Sequence, residues 1–389
     1  MAPPTALIVG AGIGGLAAGV ALRRSGWRVR IFERAASSRE LGFALNLAPN
    51  AMAALRELGL AESLIAQGHV IADVELRDGH GRALRRIRVA AAHEATTGTP
   101  SVVALRPVLH GALLNAIEMD ALVLSSQAVA FEVNHAGVLL MLKDGRTASG
   151  DILIGADGLG SVIRRLLHAH ESPPRPSGYY AVRSVAHNVT HHLGDLSAAA
   201  YFGKGIEAAM VRASTSAVYW YVSLLAEDVP SDTREPHAVV ERCTAALDEQ
   251  FRAVAHATET EDLRLDELFD RNPIDDWGAG PVTLLGDAAH PMLPHTGQGA
   301  AQALEDAVAL GLVLRSGKDM VPALRRYERV RSAHTRRIVK LGRRIVRVTT
   351  TKSTAVGWLR AVAARILPVK VILAAFYLGD HRDPHRELR

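Results

Sequence analysis

The chain has 389 residues, of which 48% are hydrophobic and 22% are charged, and its formal net charge at pH 7 is +5. These proportions are ordinary for a soluble globular protein with one large domain or two interlocked ones. The single cysteine, Cys243, excludes an internal disulfide and fits a reducing compartment. No basic segment precedes the first apolar stretch, so the sequence predicts a cytoplasmic protein without a signal peptide.

The N-terminal segment combines a strand, a glycine turn, a helix and a second strand that ends at Glu33. The turn carries the glycines Gly10, Gly12, Gly14 and Gly15. Gly10 permits the tight turn, Gly12 lets the backbone approach a pyrophosphate, and the helix N-terminus favours phosphate groups. Glu33 follows the turn by about twenty residues, where an acid can accept hydrogen bonds from ribose hydroxyls. This arrangement predicts a dinucleotide site.

The hydrophobic pattern between residues 40 and 170 alternates between strands, turns and helices. The elements predicted in chain order are a strand and turn over 40–50, a helix over 51–58, a hairpin over 71–89 that turns at 78–81, a loop over 90–100, a strand over 102–105, a helix over 108–118, a β-meander over 123–142 with a turn at 143–146, and a buried strand over 151–154. A proline-rich stretch at 173–176 then marks a boundary.

The second half of the chain contains further strands before a helical end. The predicted elements are antiparallel strands over 179–225, a helix over 237–252, a buried strand over 282–285 and helices from about 300 to 347. Around Trp220 the alternation places Tyr219, Tyr221 and Ser223 on one strand face and the apolar residues Val218, Trp220, Val222 and Leu224 on the other. The sequence therefore predicts an α/β fold, in which β-rich insertions interrupt a Rossmann-like core and helices close the chain.

Two late segments allow more than one interpretation. Ten basic residues crowd 325–347, which fits either a nucleic-acid surface or a long helix with a solvated face. We favour the helix and expect no nucleic-acid partner, because no aromatic residues interleave the charges. Residues 355–378 are apolar, but their basic residues and Pro368 argue against a membrane span. A terminal helix packed over the protein or a partner is favoured over membrane-surface binding.

Two further motifs place an acid at the end of a buried strand, where ligands collect in open α/β sheets. Asp157-Gly158 follows the strand over 151–154, and Gly286-Asp287 follows the strand over 282–285. After the second motif, Gly297-Gln298-Gly299 opens a helix and offers backbone N–H donors to a ligand edge.

The glycine turn with Glu33, followed by these two motifs, resembles the group A flavoprotein monooxygenases. These single-component FAD-dependent aromatic hydroxylases include para-hydroxybenzoate, salicylate and 3-hydroxybenzoate 6-hydroxylases. The resemblance covers most of residues 5–345. It implies a discontinuous FAD-binding domain over 1–70, 98–170 and 271–345, substrate-binding insertions over 71–97 and 171–270, and a C-terminal helical segment over 346–389.

The resemblance also implies which residues hold FAD. Arg106 is similar to the arginine near the phosphates and ribityl chain, Asp287 to the residue that binds the ribityl hydroxyls, and Asp157 to the residue tied to both FAD and nicotinamide use. Arg39 is similar to a loop arginine near the adenosine ribose. The complete implied set is Gly10, Gly12, Gly14, Gly15, Glu33, Arg34, Arg39, Arg106, Asp157, Asp287, Pro294, Gly297, Gln298, Gly299 and Ala300.

The implied reaction consumes NADH or NADPH and O2. Reduced FAD forms a C4a-hydroperoxide that transfers hydroxyl to a small, electron-rich aromatic substrate, and no metal is required. A flavin-dependent epoxidase or tailoring monooxygenase of a polyketide- or alkaloid-like substrate is the alternative, and a non-catalytic FAD-binding protein is a distant one. The sequence leaves open whether the protein is a monomer or a homodimer.

The substrate is expected between Pro294–Gly299 and the insertion strands over 200–225. His295 lies close to the expected flavin face, and Arg212 and Tyr219 fall on the strands that would roof the pocket. Arg212 could pair with a carboxylate or phenolate, although an exposed strand-edge arginine is an equal alternative. We expect the terminal helix near Leu359–Ile366 to close one side of the pocket and exclude water.

Overall fold

A computed structural model of the chain describes residues 2–37, 43–229, 235–377 and 388, with the backbone alone for 94–96 and 374–377. Its strands in chain order are β1 (Thr5–Val9), β2 (Arg28–Phe32), β3 (Ala44–Leu47), β4 (His69–Val70), β5 (Asp73–Asp78), β6 (Ala83–Arg88), β7 (Val102–Leu105), β8 (Leu122–Val123), β9 (Ala128–Asn134), β10 (Gly137–Leu142), β11 (Thr147–Gly150), β12 (Ile152–Gly155), β13 (Arg175–His187), β14 (Ala198–Phe202), β15 (Ile206–Arg212), β16 (Ala217–Leu225), β17 (Arg264–Asp270) and β18 (Val282–Leu284). Its α-helices are α1 (Ile13–Arg24), α2 (Pro49–Glu57), α3 (Ala61–Gln67), α4 (Val89–Thr96), α5 (Arg106–Asn115), α6 (Val162–Leu167), α7 (Pro236–Thr244), α8 (Glu249–His256), α9 (Gly299–Val313), α10 (Met320–Thr349), α11 (Thr354–Ile366) and α12 (Val369–Tyr377).

A parallel sheet forms the Rossmann-like core, as the sequence predicts. Its strand order is β18-β12-β1-β2-β8, and each neighbouring pair is parallel. The central strands are almost entirely apolar because other elements pack against the sheet, among them α1 and the three-stranded β9–β10–β11 sheet. The glycine turn, the Asp157 motif and the Gly286 motif follow β1, β12 and β18, so they meet at one edge of this sheet.

A second sheet of seven strands has the order β17-β13-β16-β15-β14-β5-β6. Strands from distant parts of the sequence meet in it, because the β5–β6 hairpin joins β14 by parallel pairing between residues 74 and 198. In β16, Trp220 and its alternate neighbours are buried against α7 and α8. Tyr219 and Tyr221 lie on the opposite face, which confirms the predicted alternation.

The structure differs from the predicted elements at three helical segments. The segment over 90–100, predicted as a loop, contains most of α4, because its alanines have a high helix propensity. The helix predicted over 237–252 is two helices, and Asp248 caps the second by accepting a hydrogen bond of 2.8 Å from Phe251 N. Helix α3 has no counterpart among the predicted elements.

The C-terminal region forms two helices that separate at Pro368, as predicted. Arg85 of β6 donates to the carbonyl of Ala364, which attaches α11 to the edge of the large sheet. Within the described ranges, no helix is long and apolar enough to cross a membrane.

The basic segment over 325–347 lies within the long helix α10, as predicted, but Arg331 does not belong to a solvated face. It is completely buried. Its Nε donates to Asp306 Oδ1 over 2.6 Å, its Nη1 to Glu305 Oε2 over 2.6 Å, and its Nη2 to Gln302 Oε1 over 2.7 Å. These contacts tie α10 to α9 through a buried ionic cluster, which the sequence pattern alone did not reveal.

Asp306 extends this cluster to the strand-end loop after β18. Its Oδ2 accepts hydrogen bonds from Gly286 N over 3.0 Å and interacts with His290 Nε2 over 2.6 Å. Burial alone would raise the pKa of Asp306, but the neighbouring His290 and Arg331 outweigh it and hold the pKa well below its usual range. Asp306 is therefore an anion that fixes the Gly286 loop.

Replacing Arg331 by methionine should lower the free energy of unfolding by about 3–5 kcal/mol, because Asp306 and Glu305 would stay buried without their cation. Arg329→Met, on the exposed side of the same helix, is the matched control and should change it by less than about 0.5 kcal/mol. Urea unfolding followed by circular dichroism measures both values. Equal losses in the two variants would contradict the structural role of Arg331.

Candidate functional site

The glycine turn after β1 is shaped by close backbone approach. Gly10 has φ +103°, and a Cβ there would lie 2.4 Å from the carbonyl oxygen of Ala156. A Cβ on Gly15 would lie 2.0 Å from the carbonyl oxygen of Gly10, whereas one on Gly12 would meet nothing within 4 Å. Gly10 and Gly15 are therefore required by packing, and Gly12 leaves open space beside the N-terminus of α1.

Helix α1 begins without a side-chain cap and without an acid in its first turn. Its leading N–H groups and the positive end of its dipole therefore favour an external anion such as a pyrophosphate. Glu33 accepts hydrogen bonds from Ala11 N over 2.8 Å and from Ala35 N over 2.9 Å, which holds the acid against the turn. Arg34 is exposed, and Arg39 lies outside the described residues.

The loop after β18 presents Asp287 to a cavity. Gly286 adopts φ +61° and is held by the buried ionic cluster, while the Asp287 side chain remains exposed within the cavity. Desolvation by the surrounding protein raises the pKa of Asp287, and the charges of the nearby His290 and Arg106 oppose this rise. The arrangement supplies a hydrogen-bond acceptor for a polyhydroxyl chain.

The segment from Pro294 to the start of α9 forms the next wall of the cavity. Gly297 has φ +63°, in the left-handed region, and α9 begins at Gly299 without a side-chain cap. Its N-terminal dipole favours negative charge on a ligand edge. Asn46 Oδ1 and Thr296 Oγ1 are buried without a hydrogen-bond partner among the described residues, and both residues line the cavity. Such atoms fit a polar ring system bound against them.

These segments share one cavity of about 500 Å³ with the large sheet. The loops of the parallel sheet contribute Gly12, Gly158, Asp287, Pro294 and Gly297 among others. The large sheet contributes mainly apolar side chains together with Arg183, Tyr219 and Tyr221. The strand ends that bind nucleotides and the face of the insertion sheet therefore enclose the same space.

Arg183, Tyr219 and Asp266 form the polar part of the sheet wall. Arg183 donates to Asp266 Oδ2 from Nε over 3.0 Å and from Nη2 over 2.8 Å, and its guanidinium lies 4.8 Å from the ring centre of Phe43. Burial raises the pKa of Tyr219 to about 12, although Arg183 opposes the rise. Tyr219 is therefore a neutral phenol at pH 7 and can donate a hydrogen bond.

His295 lies between the Pro294 loop and the large sheet. Its Nε2 is 2.8 Å from Ser223 Oγ, and its ring contacts the edge of Tyr179 at a centroid distance of 5.7 Å. Burial lowers the pKa of His295, and Glu207 opposes only part of this effect. The imidazole is therefore neutral near pH 7, and its Nδ1 lacks a partner among the described residues.

The cavity brings together many of the predicted site residues from separate parts of the chain. They are Gly12, Gly14, Arg106, Tyr219, Asp287, Pro294, His295, Gly297, Gly299 and Ala300. Gly10, Gly15 and Glu33 build the adjacent glycine turn. Gln298 instead turns its side chain into the buried cluster, where Oε1 accepts from Asn50 over 3.0 Å and from Gln302 over 3.1 Å.

Arg212 requires a correction because the structure places it outside the cavity lining. It lies at the end of β15, where its Nη2 donates to the carbonyls of Thr190 over 3.2 Å and Gly194 over 2.9 Å. These backbone acceptors hold the guanidinium at the sheet edge. This position fits the alternative of a strand-edge arginine, and Arg183 is the arginine of the sheet wall.

Asp157 follows β12 and makes structural contacts there. Its carboxylate accepts from Ser161 Oγ over 2.5 Å and from Val162 N over 2.6 Å, at the N-terminus of α6. Desolvation raises the pKa of Asp157, and these hydrogen bonds oppose the rise. The observed contacts cap a helix, and Gly158 rather than Asp157 lines the cavity.

The expected closure by the segment Leu359–Ile366 is also corrected. Leu359 and Ile366 are 57% and 72% exposed, so this part of α11 faces away from the cavity. Ile372 and Leu373 of α12 line the cavity instead. The change of direction at Pro368 explains why the later helix, and not α11, supplies this wall.

Comparison with known proteins identifies the family. A family model described as an FAD binding domain matches residues 4–341. The 3-hydroxybenzoate 6-hydroxylase 1 of Aquipseudomonas alcaligenes is 34% identical, over 85% of this chain and 86% of its own. The chain belongs to the FAD-dependent aromatic hydroxylases.

Other relatives of the chain agree with it in length and fold. The aurachin C monooxygenase/isomerase of Stigmatella aurantiaca is 32% identical, over 93% of this chain and 94% of its own. The crystal structure of HpxO of Klebsiella pneumoniae, complexed with FAD and uric acid, is similar with a TM-score of 0.89 and 26% identity, covering 96% of this chain and 95% of that one. The cofactor of this chain is FAD.

Sequence reasoning missed several residues of this chain's candidate site. Arg183 lies opposite Tyr221 in the strand register, and Ser223 contacts His295. The alternation around Trp220 already places Tyr221 and Ser223 on the face of Tyr219, so this signal was available. Arg183 carried no comparable signal, because its position depends on which strand pairs with β16.

Glu33→Ala should weaken FAD binding by about 1–3 kcal/mol, because it removes a charged acceptor beside the ribose position and frees Ala11 N. Glu132→Ala, an exposed acid on β9, is the control and should leave the FAD dissociation constant unchanged. Quenching of flavin fluorescence during titration of the apoprotein measures both constants. An unchanged constant for Glu33→Ala would remove Glu33 from the cofactor site.

Proposed function

We propose that the chain is a single-component monooxygenase that uses NADH or NADPH and O2 to hydroxylate an aromatic or phenolic small molecule. The observation that carries this proposal is the single cavity shared by the FAD-binding loops and the face of the large sheet. FAD bound at these loops would supply the redox chemistry that couples oxidation of the nicotinamide to oxygen transfer from O2. The protein must then position the ring, exclude water and control protons.

The cofactor end of the cavity suits the binding part of this task. The N-terminus of α1 would hold the pyrophosphate, Asp287 the ribityl hydroxyls, and the Pro294 loop with the start of α9 the ring system. Two insertions, over 71–97 and 171–270, supply strands of the large sheet, so we assign them to substrate binding. Their apolar lining excludes water, which would otherwise divert reactive oxygen to peroxide.

His295 and Tyr219 are the side chains that we assign to the reacting ring. A neutral imidazole can accept the proton of a ring hydroxyl, and Ser223 fixes its other nitrogen. Tyr219 would donate its phenolic hydrogen to a substrate oxygen. Arg183 would stabilise negative charge that develops there, because its guanidinium lies beside the Tyr219 hydroxyl.

Oxidation of NADH and of NADPH by the FAD-loaded protein, measured against a panel of aromatic compounds, tests this proposal. We expect one class of aromatic compound to accelerate oxidation and to gain one oxygen atom from labelled O2, detected by mass spectrometry. An epoxide in place of a ring hydroxyl would favour the epoxidase alternative. Bound FAD without ligand-dependent oxidation by either nicotinamide would favour the non-catalytic alternative and overturn the proposal.

Tyr219→Phe should reduce the product formed per NAD(P)H oxidised and raise the peroxide released, because the substrate loses a hydrogen-bond donor within the cavity. We expect a loss in kcat/KM of about tenfold or more, equivalent to one strong hydrogen bond. Tyr180→Phe, on the opposite face of the same sheet, is the matched control. FAD affinity should stay constant in both variants, and equal coupling in the two would place Tyr219 outside the reaction.

A further inference from the structure

The large sheet presents two cross-strand rows of side chains to the cavity. The strand register places residues of β5, β14, β15 and β16 directly opposite one another, so that each row shares one face of the sheet. The first row is Val74, Ala198, Val211 and Tyr219, and the second is Leu76, Ala200, Ala209 and Tyr221. All of these side chains line the cavity.

The chemistry of both rows changes along the sheet. The rows begin with the hydroxyl groups of Tyr219 and Tyr221 near Arg183 and continue as aliphatic residues to β5. We call this continuation the apolar lane, and it consists of Val74, Leu76, Ala198, Ala200, Ala209 and Val211. From β16 to β5 the rows cross three strand spacings, a distance of roughly 14 Å.

The walls around the apolar lane are also apolar. Ile87 of β6 and Ile372 and Leu373 of α12 complete this end of the cavity. Among the described lining residues, β5, β6, β14, β15 and α12 contribute no charged side chain. A charged or strongly polar group here would lose its hydration without compensation, whereas an apolar group would gain from burial.

Alanine is an unusual choice for the positions at the centre of the apolar lane. Ala198, Ala200 and Ala209 lie inside strands, where branched and aromatic residues are favoured. Side chains of that size would project into the cavity. The alanines therefore preserve room along the sheet in addition to the room beside the tyrosines.

We propose that the substrate is a hydroxylated aromatic ring that carries a neutral aliphatic chain. The ring lies between the Pro294 loop and Tyr219, and the chain extends along the apolar lane towards Ile87. This substrate class rests on the function proposed above, and it narrows that function to alkyl- or prenyl-substituted aromatics. An unsubstituted aromatic acid would leave the apolar lane without contacts.

The binding test uses the FAD-loaded protein and three ligands with one head group, namely phenol, butylphenol and octylphenol. The flavin absorbance change during titration, checked by calorimetry, gives each dissociation constant without any turnover. We expect binding to tighten by roughly threefold for each added methylene group along the series. A dissociation constant independent of chain length, or tighter binding of an octyl chain that ends in a carboxylate, would overturn the proposal.

Ala200→Leu places a larger side chain in the apolar lane and should weaken octylphenol by about tenfold while phenol changes by less than about twofold. Ala209→Leu repeats the test at the paired position, in case one variant fails to fold. Ala83→Leu, at an exposed position of β6, is the matched control and should change neither ligand. Equal weakening of phenol and octylphenol by both variants would refute the apolar lane.

The two proposals can fail separately in these measurements. Binding that depends on chain length without NAD(P)H oxidation would keep the apolar lane and remove the proposed reaction. Oxidation stimulated equally by phenol and octylphenol, with equal affinities, would keep the reaction and remove the apolar lane. Faster oxidation with octylphenol, lost selectively in Ala200→Leu, supports both.

Discussion

The buried ion pair between Arg331 and Asp306 is the interaction on which the site geometry depends. It joins α10 to α9, and through Gly286 N and His290 it reaches the loop that carries Asp287. A buried ion pair adds little net stability compared with apolar packing of the same volume. The ion pair instead fixes the position of the Asp287 loop, because two carboxylates, one guanidinium and their hydrogen bonds allow few alternative arrangements of that loop.

The electrostatic potential in the cavity comes more from backbone N–H groups and helix dipoles than from charged side chains. Helices α1 and α9 both begin beside it without side-chain caps, so their N–H groups and dipoles are directed to ligands at two separate points. The charged side chains in the described lining are few, and Arg183 is already paired with Asp266. The same space can therefore hold an anionic cofactor at one end and stay apolar at the other.

Local sequence information was sufficient for the parallel core and for one face of the large sheet. Gly15 is dictated by its contact with Gly10 in the same turn, and the alternation around Trp220 reports directly on burial. Arg331, Arg183 and Arg212 could not be assigned, because the environment of a long side chain depends on elements distant in sequence. Tertiary contacts make Arg331 a buried core cation, Arg183 a cavity residue, and Arg212 a side chain that binds backbone carbonyls at a strand end.

The parallel pairing of β5 with β14 has a consequence for how the protein is made. Val74 lies opposite Ala198, which follows it by 124 residues in the chain. Ribosomes add roughly 5–20 residues per second, so the β5–β6 hairpin emerges on the order of ten seconds before its partner strand exists. During synthesis the cavity face of the hairpin and one of its strand edges therefore stay unpaired. The large sheet assembles only after the middle of the chain has been translated.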